Sequence, residues 1–284
     1  MATETGRDHH LEWRRTTVDG RAAVYGVTRG KGRPVLFLHG WGLNHRSYRH
    51  ALGRIAQTGV RVYAPAMPGF GDTADLPADQ FSIAGYAAWV DRFLDAVGVT
   101  GKIVVVGHSF GGGVAIQFAH DATRRVRQLV LVNSIGGSTW TDRRGRDRHM
   151  RERPWWDWGL HLQADTFSLR ELGRIAPVIA ADAVPNALRR PRSLWHVGRL
   201  ARDADLTAEL ADLRDRRLPV TILWGRNDTV LPEAGLESMR AALGDPAVRT
   251  VDGNHGWLLT SPGRFAEELT NIIDRPKRSS PGVA

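Results

Sequence analysis

Ile103-Val104-Val105-Val106 constrains this chain more than any other stretch. Four successive β-branched residues favour a strand, and with no polar residue alternating among them that strand must be buried on both faces. A strand covered twice needs a helical layer above and another below. The surrounding sequence supplies both. Pro34–Leu38, Val60–Ala64, Val126–Val132, Leu218–Trp224 and Val248–Val251 are further short strand-like runs. Stretches of helical period separate most of them, near Ser47–Thr58, Ser82–Val97, Phe110–His120, Glu233–Leu243 and Pro262–Ile273. Such alternation predicts an α/β chain with a mostly parallel central sheet flanked by helices. Local signals agree. Ser82 can cap its helix and Gly98 stands just past its end. Asp19-Gly20, between Leu11–Val18 and Arg21–Thr28, marks a two-residue hairpin.

The alternation stops at Asn133. From Gly136 to Asp205 the chain is rich in Arg and Trp, helical in period, and shows no convincing strand. It reads as a helical insertion, residues 136–205, in a core made of residues 1–135 and 206–284. The basic tail Arg275–Ala284 reads as frayed. No internal repeat is visible.

Composition closes several routes to function. The 284 residues include no Cys, which removes disulfides, thiolate zinc sites, iron–sulfur clusters and a Cys nucleophile together. The first fifteen residues are polar and lack the apolar core of a secretory signal. The longest apolar runs are about five residues, against roughly 18 needed to span a bilayer. The expectation is a soluble, cytoplasmic protein with no integral membrane segment. Net charge is +9, carried almost wholly by Arg. The densest stretch places Arg143, Arg144, Arg146, Arg148, Arg151 and Arg153 against Asp147 and Glu152. It reads first as a solvated face, and second as a docking surface for an acidic partner or anionic carrier. No nucleic-acid-binding motif accompanies the charge, so no nucleic-acid partner is expected.

Candidate chemistry centres on Gly107-His108-Ser109-Phe110-Gly111. This G-x-S-x-G pattern follows a buried strand and opens a helix, the context of a nucleophile elbow. A sharp turn there lifts the Ser109 hydroxyl above the sheet, beside the free N–H groups of a helix N-terminus. A serine needs a base to take its proton. His255, in the Gly-flanked Asp252-Gly253-Asn254-His255-Gly256, is the candidate. His108 adjoins the nucleophile but should point to the other side of the turn. An acid must orient the base. Asp228, just beyond the strand ending at Trp224, is better placed than Asp252, which sits at a strand end. Acyl transfer also needs donors for an oxyanion. The backbone N–H groups of Trp41, in His39-Gly40-Trp41-Gly42, and of Phe110 are the candidates, with the Trp41 side chain left free to line a pocket. None of these roles needs a metal or a cofactor.

With these motifs in this order, together with Pro68-Gly-Phe-Gly-Asp72, the chain resembles the α/β-hydrolase family over roughly Ala23 to Ile273. The resemblance implies that family's fold and makes residues 136–205 a helical cap (lid) over the pocket. It also implies a carboxylesterase-like serine hydrolase cleaving an ester or thioester of a small molecule. Relatives that act as dehalogenases or epoxide hydrolases carry Asp where this chain has Ser109. Carbon–carbon bond hydrolases share the same triad, and a non-catalytic ligand sensor could retain it. Five of the ten Trp, Trp140, Trp155, Trp156, Trp158 and Trp195, fall in the insertion. Trp155 and Trp156 are the candidate walls of an apolar acyl site; alternatively these residues only seal the cap onto the core. Oligomeric state is open at this stage.

Overall fold

A computed structural model describes residues 11–142, 144–157 and 184–273. Eight strands form one sheet: β1 (Leu11–Val18), β2 (Arg21–Thr28), β3 (Pro34–Leu38), β4 (Arg61–Pro65), β5 (Ile103–His108), β6 (Val126–Val132), β9 (Val220–Gly225) and β10 (Ala247–Val251). Their order is β1-β2-β4-β3-β5-β6-β9-β10. The β1–β2 and β2–β4 pairs are antiparallel, and every later pair is parallel. Asp19 and Gly20 both have positive φ, 51° and 73°, the backbone that matches a tight turn to the twist of its strands.

Strand β5 shows why its residues do not alternate in character. Ile103 and Val105 point into one apolar cluster, Val104 and Val106 into the other. On the first face lie α2 (Ile83–Ala96), α3 (Phe110–Asp121), α5 (Pro191–Asp203), α6 (Thr207–Asp215) and α7 (Glu233–Leu243). The second face is covered by α1 (Arg49–Ala56), α8 (Trp257–Thr260) and α9 (Pro262–Ile273). Helix α2 starts as its sequence implies: the Ser82 hydroxyl accepts from the Gly85 N–H at 3.0 Å. Gly98 just past its end has φ +73°. Among the described residues no helix is long and apolar enough to cross a membrane.

The segment after β6 corrects one expectation. It contains a short antiparallel hairpin, β7 (Thr139–Thr141) and β8 (Asp147–His149), before α4 (Val184–Arg189) and α5. Asp142 makes the turn, its carboxylate accepting from the Arg144 and Arg146 N–H groups, while Gly145 takes φ +72°. Three-residue strands are too short to display a period, so the hairpin is invisible to pattern reading. Arg143 and Trp158 lie outside the described residues. The ends of the segment meet, since Gly136 and Asp205 form a β-bridge and the Leu206 N–H donates to the Gly136 carbonyl.

Close packing between β3 and α3 sets the crossing of strand and helix below the site. A Cβ on Gly111 would lie 2.4 Å from the Leu38 carbonyl oxygen and 2.5 Å from that of His39. Both obstacles are backbone and cannot yield cheaply. Gly111→Ala should therefore cost about 1–3 kcal/mol in urea unfolding. Gly53→Ala is the contrast: the position is in α1 with open space around a Cβ. It should gain about 0.5–1 kcal/mol. Equal midpoints for the two variants would refute this packing.

Candidate active site

Ser109 stands between the end of β5 and the start of α3 with φ 54° and ψ −120°. This backbone is costly for a residue with a Cβ and persists only where the surroundings impose it. Here the end of β6 imposes it. The Ser109 N–H donates to the Val132 carbonyl at 3.1 Å, and the Ser109 carbonyl accepts from Gly112 and Ile135.

Asp228 lies in the turn after β9, its own N–H bonded back to the Gly225 carbonyl. The side chain is fully buried, and four donors meet its oxygens. Oδ1 accepts from the Val230 and Leu231 N–H groups, both at 2.9 Å. Oδ2 accepts from His255 Nδ1 at 2.9 Å and from the Asn133 amide. Burial alone would raise the carboxyl pKa. The charge of His255 and the hydrogen bonds from His255, Asn133 and Leu231 outweigh it, so Asp228 titrates below the ordinary range. An ionised Asp228 can only accept. In neutral His255, Nδ1 therefore carries the proton and Nε2 the lone pair, the tautomer a general base requires. Asp252 is remote from this arrangement: its side chain is 70 % exposed and it pairs with Arg226.

The loop of the third candidate element is held on both sides of Gly40. His39 Nδ1 bonds the Gly40 carbonyl at 2.9 Å, and His39 Nε2 accepts from the Met67 N–H at 2.9 Å. In a trans peptide the Trp41 N–H points opposite to the Gly40 carbonyl. Fixing that carbonyl therefore fixes the donor. Phe110 is the first residue of α3, so its N–H has no carbonyl a turn behind it. The Trp41 side chain is not free: its indole N–H donates to the Leu194 carbonyl at 2.8 Å and ties the loop to α5.

Asn133 and Tyr48 escaped the sequence reading, and His108 was given no part in the assembly. Asn133 follows β6 with φ 41°, a conformation Asn tolerates better than most residues. Its side-chain carbonyl accepts from Gly225 N–H and Trp257 Nε1–H, while its amide serves Asp228. An Asn directly after the apolar Leu129–Val132 run was the available signal. His108 and Tyr48 form a buried chain. The His255 carbonyl can only accept, so His108 Nε2 donates to it at 3.0 Å. His108 Nδ1 then accepts from the Tyr48 hydroxyl at 2.8 Å, and Tyr48 in turn accepts from the Gly40 N–H at 3.1 Å. Burial, with His255 nearby, pushes the His108 pKa down to about 3, so it stays neutral and structural. A Cβ on Gly40 would sit 2.9 Å from His108 Nδ1, so only glycine lets the loop approach. His108 thus faces the His255 loop.

The two Trp expected to wall the site take different positions. Trp156 is 55 % exposed. Trp155 is half-buried, stacked on Trp195 with ring centroids 4.9 Å apart, and carries the Arg202 guanidinium 4.4 Å from its ring.

Tyr48→Phe tests the buried chain. It leaves the Gly40 N–H without an acceptor and His108 Nδ1 without a donor. The variant should lose about 1–3 kcal/mol in chemical denaturation. A midpoint equal to that of the parent would show that the chain contributes nothing.

Comparison with known proteins places these features. A sequence model described as "Alpha/beta hydrolase family" matches residues 35–268. An uncharacterised protein of Mycobacterium tuberculosis is 27 % identical, over 91 % of this chain and 80 % of that protein. The 2-hydroxy-6-oxo-2,4-heptadienoate hydrolase of Pseudomonas putida is 29 % identical, over 72 % and 75 %. Among solved structures, an esterase from Exiguobacterium antarcticum superposes with a TM-score of 0.72 at 20 % identity, covering 93 % of this chain and all of that one. A match from residue 35 to residue 268, on a sheet of this order, makes the chain a member of the alpha/beta hydrolase family.

Proposed function

We propose that this hydrolase is a serine carboxylesterase acting on a small, largely apolar ester or thioester. The observation that carries the reading is the Asp228–His255 pair, in which the buried carboxylate holds His255 Nδ1 on a loop bonded to the residue before Ser109. In this mechanism the Ser109 hydroxyl attacks the substrate carbonyl while its proton passes to His255 Nε2. The Trp41 and Phe110 N–H groups receive the oxyanion. Collapse expels the alcohol or thiol, which takes the proton from His255 and leaves an acyl group on Ser109. Water then attacks that acyl carbon, gives its proton to His255, and frees the acid as Ser109 recovers its own. Residues 136–205 act as the cap over this site, on a core of residues 1–135 and 206–284. The closed ends at Gly136 and Asp205 support that division.

A carbon–carbon bond hydrolase is the second reading. The similarity to a hydrolase of 2-hydroxy-6-oxo-2,4-heptadienoate favours it, and it uses the same residues. A p-nitrophenyl ester series of increasing chain length, run beside a thioester and a diketone, separates the two. Esters should turn over, and Ser109→Ala should reduce the rate by roughly 10⁴-fold or more while the protein stays folded. A variant keeping a tenth of the activity would remove Ser109 as the nucleophile. Turnover of the diketone without any ester would give the site to carbon–carbon cleavage.

A further inference from the structure

The Arg-rich stretch that opens the insertion is not uniformly solvated. Arg144, Arg146, Arg148 and Arg151 are exposed, as a solvated face requires. Arg153 is 3 % exposed. A guanidinium out of water must find acceptors for its N–H groups. Nε donates to Asp157 Oδ2 at 2.8 Å, one helical turn further along, in a pair buried on both sides. Nη1 crosses to a distant segment and donates to the Val230 carbonyl at 2.6 Å.

Val230 is the residue whose own N–H holds Asp228 Oδ1. One peptide segment thus receives Arg153 at its carbonyl and supports the buried carboxylate with its amide. Arg153 arrives there on a strap that is itself anchored. The Ser138 N–H donates to Ser238 Oγ on α7, and the Met150 N–H closes the hairpin onto the Ser138 carbonyl. Stability alone does not account for the pair. A buried ion pair gives little over a well-packed apolar pair of the same shape.

We infer that Arg153 is a positioning residue for the acid of the site: forked between Asp157 and the Val230 carbonyl, it clamps the Asp228–Leu231 turn. Asp228 is held in line with His255 while the first strap of the insertion is seated, and the insertion takes part in assembling the site as well as covering it. This rests on the proposed roles of Ser109, His255 and Asp228.

Two variants of the full chain test it. Arg153→Lys keeps a charge for Asp157 but lacks the planar fork that reaches both acceptors. Arg153→Met combined with Asp157→Leu removes both charges, so no uncompensated charge is left buried. Endpoint labelling with a fluorophosphonate counts competent Ser109 sites, urea unfolding reports the fold, and a p-nitrophenyl ester gives kcat per labelled site and KM. Both variants should fold and label fully, with KM within about twofold and kcat per site reduced roughly 10- to 100-fold, as a misplacement of about 1 Å does. Unchanged kcat per labelled site would overturn the inference. So would failure of both variants to fold, which would assign Arg153 to stability. A parent enzyme that takes up no fluorophosphonate at Ser109 would instead defeat the proposed function.

Discussion

A carboxylate taken out of water persists as an anion only where donors replace its hydration shell, and the buried Asp228 side chain sets that requirement at the centre of this structure. Its four donors come from three separate places in the sequence: Asn133 at the end of β6, Val230 and Leu231 in its own turn, and His255 beyond β10. They converge because β6, β9 and β10 are adjacent and parallel, so their C-terminal ends open at one edge of the sheet. The strand order is therefore a condition of the site. A different order would separate the acid from its donors, and a buried Asp would then protonate.

The other half of the site is governed by backbone. Ser109 holds a costly conformation because β6 and α3 close on it from either side. The chain from Gly40 through Tyr48 and His108 to the His255 carbonyl joins the Gly40 loop, the turn at Ser109 and the His255 loop in one buried network. Each hydrogen in that chain has a single consistent placement, which requires a neutral His108. Arg153 adds a bond from the segment after β8 to the Val230 carbonyl, in the turn that holds Asp228.

Much of this was legible beforehand, and the reasons are local. The uninterrupted Ile103–Val106 run required cover on both faces, and both layers are present. Asp19-Gly20 and Ser82 act through neighbours a few residues away, so the sequence alone displays them. Asp228 and His255 could be picked out as loop residues just past strand ends, and the structure brings them together. What escaped depends on distant partners. Tyr48 meets a histidine 60 positions away, and Arg153 a carbonyl 77 positions away. Nothing in a run of arginines distinguishes the one that turns inward. A Trp-rich segment likewise signals apolar area, but packing decides how far each indole is covered: Trp156 is 55 % exposed while Trp155 stacks on Trp195. The β7–β8 hairpin was missed because its strands are three residues long.

The central claim is that an ionised, fully accepting Asp228 sets the tautomer of His255, and Asp228→Asn tests it most directly. An amide can still accept from Val230 and Leu231, but its NH₂ would face two other donors, Asn133 and His255 Nδ1. Relief comes if His255 moves its proton to Nε2, and the lone pair that receives the serine proton is then lost. Ester hydrolysis by the folded variant should fall by roughly 10⁴-fold, with urea stability and endpoint labelling of Ser109 reporting that the site survives. Activity within tenfold of the parent would contradict the account and show that His255 keeps its working tautomer without Asp228.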